Sequence, residues 1–170
     1  MDSNAPLVFH VGVSLVAIVT GFIAIYGLLT ARLLGGITAL FLATTAATSL
    51  TGFLFHRPHI LPSQIVGGIS LVVLAVTALA LYSFGLRGKW RAVYVVGATL
   101  SLYFNVFVLV AQAFLKVPTL HALAPNGSEP PFAIAQGIVL LVFVFIGLKA
   151  TRRFRVQSAT VVPGGVRIPL

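Results

Sequence analysis

The fold is decided by residues 92–115, which read AVYVVGATLSLYFNVFVLVAQAFL and contain no Asp, Glu, Lys or Arg. A transmembrane α-helix needs about 20 consecutive, predominantly apolar residues. Four further runs of similar character occupy residues 7–29, 33–55, 65–84 and 132–148. In lipid, only a helix satisfies the backbone polar groups of such a run internally. The sequence therefore predicts an all-α integral membrane protein, a bundle of five transmembrane helices.

The overall composition agrees with this interpretation. Of the 170 residues, 59% are hydrophobic and only 8% are charged. A soluble domain of this size could not cover its surface with so few charges. Because the connections between the runs are short, we expect one transmembrane bundle over residues 1–150 and a basic cytoplasmic tail over residues 151–170.

The basic residues predict the orientation. If all five runs cross the membrane, nine of the 11 Lys and Arg residues fall on one side. These nine are Arg32, Arg87, Lys89, Arg91, Lys149, Arg152, Arg153, Arg155 and Arg167. Only Arg57 and Lys116 fall on the other side. Since cytoplasmic loops carry an excess of Lys and Arg, we expect the amino terminus outside and the carboxyl terminus in the cytoplasm. Orientation explains the net charge of +9 better than a nucleic-acid partner does, and we expect no such partner.

Several kinds of chemistry are excluded. The chain has no cysteine, so disulfides, thiolate metal sites and cysteine nucleophiles are ruled out. Its only acidic residues are Asp2 and Glu129, too few for a carboxylate-bridged metal pair or a relay of buried acids. No spacing suggests a hydrolytic triad. The sequence therefore does not favour an enzyme.

All four histidines fall on the predicted outer side, where they are candidate metal ligands. His56, His59 and His121 are the best set, with His10 as a further ligand. Pro58, between the first two, is typical of an irregular loop. Ordinary interfacial histidines are the simpler interpretation, and we expect no cofactor. A histidine-bound haem or metal ion is the alternative, which an absorption spectrum of the purified protein would distinguish.

Small and hydroxyl residues recur at helical spacing on three runs, where they favour close packing of helices in lipid. The predicted faces are His10, Ser14, Ala17, Gly21 and Ala24; Thr38, Thr45, Ser49, Gly52 and His56; and Gln64, Gly68, Ala75 and Ala78.

Buried amides mark a candidate binding site. Asn105 lies near the middle of the fourth run, where an amide must face protein or a wet cavity. Gln112 and Gln136 are predicted at similar depth, and we expect them to hydrogen-bond across the bundle together with His10. Packing contacts between helices are the alternative to ligand binding.

The function that we predict is binding of a hydrophobic ligand, lipid or quinone-like, or of a membrane protein partner, through a polar pocket in the outer leaflet. The predicted ligand-binding residues are His10, Tyr103, Asn105, Gln112 and Gln136, with Arg57 and Glu129 at the mouth. A membrane redox protein and a transporter or transporter subunit are the alternatives. Self-association or a membrane complex is also expected.

Three stretches carry a family resemblance: Thr51-Gly52-Phe53, Gly88-Lys89-Trp90-Arg91 and residues 123–136. They resemble stretches of small, uncharacterised bacterial inner-membrane proteins. In general form the chain is similar to the DoxX-like proteins, which usually have four spans, and its fifth predicted span departs from that pattern. The resemblance implies a multi-pass protein of the bacterial inner (plasma) membrane and implies no mechanism.

Overall fold

The computed structural model describes residues 5–53 and 62–154, which are helical apart from short connections. The helices are α1 (Ala5–Leu29), α2 (Gly35–Gly52), α3 (Pro62–Ala78), α4 (Trp90–Lys116), α5 (Pro118–His121) and α6 (Pro130–Arg153). A π-helical turn, Leu79–Ser83, extends α3. No strand occurs in these two ranges, and the predicted all-α class is confirmed. The predicted tail beyond Phe154 lies outside the described residues.

Four helical segments are long and apolar enough to cross a membrane: Ala5–Leu29, Gln64–Ser83, Trp90–Lys116 and Pro130–Arg153. Their outer faces are apolar, and Val8 and Leu141 are each 69% exposed. Apolar surface on this scale is typical of a protein embedded in lipid. The chain is thus a helical, multi-pass membrane protein. Helix α2, with 18 residues and five threonines, is not among the four.

Helix α4 is the centre of the bundle, because it contacts every other helix. Helix α1 packs against α2, α4 and α6, and α3 packs against α2 and α4. His10, near the start of α1, reaches Thr51, near the end of α2. Arg91, at the start of α4, reaches Thr151, near the end of α6. Neighbouring helices in these two pairs are therefore antiparallel.

The bundle has two chemically different ends. The histidine end holds His10, Lys116, His121 and Glu129. The basic end holds the cations of the other connections and of the last turns of α6, namely Arg32, Arg87, Lys89, Arg91, Lys149, Arg152 and Arg153.

The basic end is closed by aromatic packing and an arginine. Tyr94 is fully buried, its hydroxyl oxygen lies 3.4 Å from Thr38 Oγ1, and its ring packs against Phe154. The Arg91 guanidinium donates to the backbone carbonyls of Thr151, at 2.9 Å, and of Phe154. A cation at these carbonyls stabilises the carboxyl end of α6, where orphan acceptors and the helix dipole favour positive charge.

Two glycines allow close contacts between helices: Gly21 of α1 lies against α4 and α2, and Gly97 of α4 lies against α3. A Cβ atom on Gly21 of α1 would lie 2.6 Å from Leu102 and 2.8 Å from the Phe41 ring. A Cβ atom on Gly97 of α4 would lie 2.1 Å from Thr77 Oγ1. Because lipid is as apolar as a leucine side chain, membrane helices associate largely through such close packing.

The predicted faces of α1 and α2 are confirmed within the described residues, which do not include His56, but that of α3 is wrong. Ala17, Gly21 and Ala24 are buried on α1, as are Thr38, Thr45 and Ser49 on α2. On α3, Ala75 is exposed. The buried residues there are Ser70, Leu74, Thr77 and Ala80. The reason is that Thr77 fits the space above Gly97, which turns a different face of α3 towards α4.

Replacing Gly97 with alanine should destabilise the bundle. The new methyl group would overlap Thr77, a β-branched residue with little freedom to move, and overpacking of this kind costs about 1–3 kcal/mol. Thermal unfolding in detergent, followed by the fluorescence of the single tryptophan, should show a lower midpoint. Gly137→Ala is the control, because no atom lies within 4 Å of its added Cβ.

The double variant Gly97→Ala/Thr77→Ala should recover most of the loss, because it removes the overlapping hydroxyl. A Gly97→Ala midpoint equal to that of the Gly137→Ala control would contradict this account of the α3–α4 contact.

Candidate ligand-binding site

The polar inward faces of the helices are buried at the basic end and partly exposed at the histidine end. On α4, Tyr94 and Leu102 are 0% exposed, whereas Asn105 and Gln112, nearer the histidine end, are partly exposed. The same change runs along α2 and α1. The partly exposed residues there are His10, Ser14, Thr48 and Thr51. Four partly exposed polar residues, His10, Thr48, Thr51 and Asn105, thus gather at the histidine end, and we call this cluster the polar cleft.

His10 and Thr51 join α1 to α2 across this cleft. Their Nδ1 and Oγ1 atoms are 2.8 Å apart. The single hydroxyl proton of Thr51 is used within α2, because Oγ1 donates to the carbonyl of Ala47 at 2.7 Å. Thr51 Oγ1 therefore accepts a hydrogen bond from the N–H at His10 Nδ1. The neutral imidazole then carries its hydrogen on Nδ1.

Asn105 and Thr45 join α4 to α2 deeper in the bundle. Asn105 Nδ2 donates to Thr45 Oγ1 at 3.0 Å. This orientation of the amide leaves Oδ1 as an acceptor, and the structure gives that oxygen no hydrogen-bond partner among the described residues.

Thr48 lies one helical turn from Thr45 and one from Thr51, between the two contacts. Its hydroxyl oxygen is buried and has no hydrogen-bond partner in the described ranges. An unsatisfied buried polar atom costs about 1–3 kcal/mol. The polar cleft thus includes a hydroxyl group that can donate or accept and an amide oxygen that can only accept.

Gln136 is not part of this cleft. Its Nε2 atom donates to the backbone carbonyl of Phe107 at 3.0 Å, rather than to Gln112 as predicted from the sequence. Residues 105 and 107 are about 200° apart around a helix, so α6 meets a different side of α4. The Gln136 side chain is buried, and its Oε1 has no hydrogen-bond partner among the described residues. The predicted convergence of Gln112, Gln136 and His10 is therefore wrong.

Tyr103 also faces α6. Its ring centroid lies 5.8 Å from that of Phe143 in an edge-on arrangement and 6.0 Å from that of Phe107. The sequence places Tyr103 and Asn105 at similar depth but does not reveal that they serve different interfaces.

Glu129 is held by its own loop. One carboxylate oxygen accepts from the backbone N and the Nδ2 of Asn126, at 2.9 and 2.8 Å, and the other accepts from the backbone N of Ser128 at 3.0 Å. The turn passes through Gly127, which has a φ of +68°, a left-handed conformation that suits glycine. This carboxylate stabilises the connection ahead of α6. Arg57, predicted with Glu129 at the mouth of the binding site, lies outside the described residues.

The proposed histidine metal site is only partly visible. His121 is exposed at the end of α5, whereas His56 and His59 lie outside the described residues. Within residues 5–53 and 62–154, no three His, Asp or Glu side chains come together. The metal hypothesis stays a prediction.

Thr48 and Thr51 were missed as candidate site residues. Both belong to a threonine-rich side of α2 that the sequence reveals, but that pattern is equally typical of helix packing. The discriminating fact is which hydroxyl lacks a partner, and sequence does not encode that directly.

Comparison with known proteins gives no match, since no family model, curated protein or solved structure matches the chain significantly. The resemblance to small bacterial inner-membrane proteins therefore stays a prediction.

The Glu129 carboxyl group should titrate well below the ordinary range. Hydrogen bonds from Asn126 and Ser128 lower its pKa from 4.5 to about 2, with the Asn126 backbone N–H making the largest contribution. Because the folded pKa is depressed, this stabilisation of the loop is present above pH 4.5 and is lost as the pH falls towards 2. The chain has only one glutamate, so ¹³C-glutamate labelling gives a single carboxyl resonance to follow.

An Asn126→Ala variant should raise the titration midpoint only slightly and leave it well below 4.5, the ordinary value for this group, because alanine keeps the backbone N–H at position 126 and removes only the side-chain bond, the smallest contribution. A wild-type midpoint already near that value would show that the loop does not form these bonds in solution.

Proposed function

We propose that the chain is a bacterial inner-membrane protein that crosses the membrane five times, with its histidine end outside and its basic end in the cytoplasm. Two contacts support a fifth crossing by α2. Its start lies beside the end of α1, where a Cβ on Gly27 would lie 2.9 Å from the Leu34 side chain, and its end lies beside His10. At about 1.5 Å per residue, its 18 residues extend about 27 Å, close to the hydrocarbon thickness of about 30 Å. The excess of Lys and Arg at one end supports the orientation.

Cysteine labelling should test this topology cleanly, because the native chain has no cysteine. In intact cells, a membrane-impermeant maleimide should label Ser128→Cys and should not label Thr30→Cys or Ser83→Cys until the membrane is permeabilised. If α2 does not cross, Thr30 and Ser83 should differ from each other in accessibility, because α3 would then start from the cytoplasmic side.

For the function, we propose that the polar cleft at the histidine end binds an amphiphilic ligand, lipid or quinone-like, whose head group carries a hydroxyl donor. The observation that carries this proposal is the Thr48 hydroxyl, whose oxygen is buried among partly exposed polar residues and has no hydrogen-bond partner in the described ranges. Ligand pockets are mostly apolar with a few placed polar groups, and the cleft fits that description. A head-group O–H could donate to Asn105 Oδ1, while Thr48 could donate to or accept from a neighbouring oxygen.

Thr48→Val provides a sharp test, because it keeps the side-chain shape and removes only the hydroxyl. Two probes represent the two ligand classes: a benzoquinol with a ten-carbon tail and a monoacylglycerol. Binding of at least one probe to the protein in nanodiscs, followed by the rise in unfolding temperature, should be about two- to tenfold weaker in Thr48→Val. This range corresponds to one hydrogen bond of about 0.5–1.5 kcal/mol.

The matched control is Thr44→Val. Thr44 is on the same helix, but its hydroxyl already donates to the Leu40 carbonyl at 2.7 Å, so probe binding should be unchanged. Without a probe, Thr48→Val should be at least as stable as wild type, because it removes an unpaired polar atom. Equal probe binding by wild type and Thr48→Val, or no binding of either probe, would overturn the proposal.

A further inference from the structure

A second recess lies on the outer surface of the bundle, between α3 and α4 in the half near the basic end. Its volume is about 450 Å³, within the range of about 300–1,000 Å³ that ligand pockets occupy. All the lining residues are apolar, and they include Val72 and Val76 on α3 and Val93, Val96 and Gly97 on α4. We call this recess the α3–α4 groove.

The groove faces the surrounding lipid. Val72, Val76 and Val96 are 66, 42 and 53% exposed, so no other part of the bundle covers them. Its floor is at Gly97, where the missing side chain and the inserted Thr77 bring α3 and α4 together.

The length of the groove matches one leaflet. Its α4 wall runs from Ala92 to Leu100, about 12 Å along the helix. Half of the hydrocarbon core is about 15 Å thick. An acyl chain that enters from the basic end would therefore lie along the groove and end near the middle of the membrane.

The mouth of the groove is cationic. Lys89, Val93, Val96 and Leu100 follow one another at i, i+4, i+7 and i+11, which places the lysine on the helix face that forms the α4 wall. Lys89 and nearby Arg87 are both exposed. The third cation of this connection, Arg91, is already bound to the end of α6.

No acidic side chain in the described ranges neutralises Lys89 and Arg87. The chain has only two carboxylate side chains. Glu129 is at the histidine end, and Asp2 lies outside the described residues. The negative charge that complements this mouth must therefore come from outside the described part of the chain.

Local backbone geometry fixes the turn that carries Arg87 and Lys89 at the mouth of the groove. Gly85 and Gly88 have φ values of +55° and +53°, left-handed conformations that glycine adopts without strain. Phe84 and Trp90 stack face to face across this turn, with ring centroids 3.8 Å apart. Tryptophan favours the membrane–water interface, which is the depth of a lipid head group.

We propose that the α3–α4 groove binds an anionic glycerophospholipid, with an acyl chain against the valines and the phosphate at Lys89 and Arg87. The apolar length of the groove selects an acyl chain, and the uncompensated cations at its mouth select an anionic head group. This site is distinct from the cleft at the histidine end and does not depend on the function proposed for it.

Trp90 allows a direct test, because it is the only tryptophan of the chain and lies at the mouth. The protein is placed in phosphatidylcholine vesicles that contain increasing fractions of phosphatidylglycerol with brominated acyl chains, which quench tryptophan fluorescence on contact. A matched titration uses brominated phosphatidylcholine instead. Half-maximal quenching should need a several-fold smaller fraction of the brominated phosphatidylglycerol than of the brominated phosphatidylcholine.

Two variants separate the head-group contact from the acyl-chain contact. Lys89→Gln should weaken the preference about fivefold, since a basic residue near an anionic surface contributes about 1 kcal/mol. Val96→Phe should fill the groove and weaken the preference while it leaves every charge in place.

The controls are Lys149→Gln, a cation at the same end on α6, and Leu141→Phe, a lipid-facing position on α6. Both should quench as wild type does. Equal quenching of wild type by the two brominated lipids would overturn the proposal. An unchanged preference for phosphatidylglycerol in Val96→Phe would also overturn it, because it would show that the cations attract anionic head groups without an acyl chain in the groove. Efficient disulfide formation between two copies of Val96→Cys would instead assign the groove to a dimer contact and overturn the lipid site.

Discussion

Close approach of α4 to its neighbours is the constraint on which this structure depends. In lipid the hydrophobic effect does not drive apolar helices together, so their association depends on van der Waals packing and hydrogen bonds. Gly21 admits the side chains of Leu102 and Phe41, and Gly97 admits Thr77. Hydrogen bonds from Asn105 to Thr45, from Arg91 to the end of α6 and from Gln136 to Phe107 add direction to these contacts. A helix held on so many sides fixes the position of every other element.

The two ends of the bundle are built differently, and this difference separates two kinds of surface. At the basic end, Tyr94 and Phe154 fill the interior and Arg91 satisfies the last carbonyls of α6. Few polar atoms are left unpaired there, so binding is expected only on the outside, in the groove beside Lys89. At the histidine end several polar residues of the interior are partly exposed, and the buried Thr48 hydroxyl has no partner in the described ranges. Interior binding is therefore proposed only at that end.

Threonine has different roles in this chain, and the hydrogen-bond partners of the hydroxyl group distinguish them. Thr20, Thr44 and Thr77 donate to a carbonyl one turn earlier on their own helix, at 2.7 Å in each case. Their polarity is thereby satisfied locally, and they pack as small residues. Thr45 and Thr51 accept from another helix, and the Thr48 hydroxyl has no partner within the described ranges. Residues of one type on one helix thus range from purely structural to available for a ligand.

The sequence by itself determined the helical class and the approximate positions of the long helices. In lipid every unpaired backbone group costs free energy, and a long apolar run satisfies its backbone groups internally only as a helix. The sequence also determined that most cations gather at one end. It could not determine which face of a lipid-embedded helix meets protein, since both faces are apolar. For that reason the prediction of the buried face of α3 was wrong, and the contacts of Asn105 and Gln136 were found on different sides of α4. Only the tertiary structure decided that Gln136 pairs with Phe107, that Glu129 serves its own loop and that Thr48 stays unsatisfied, because each depends on which neighbour lies within about 3 Å.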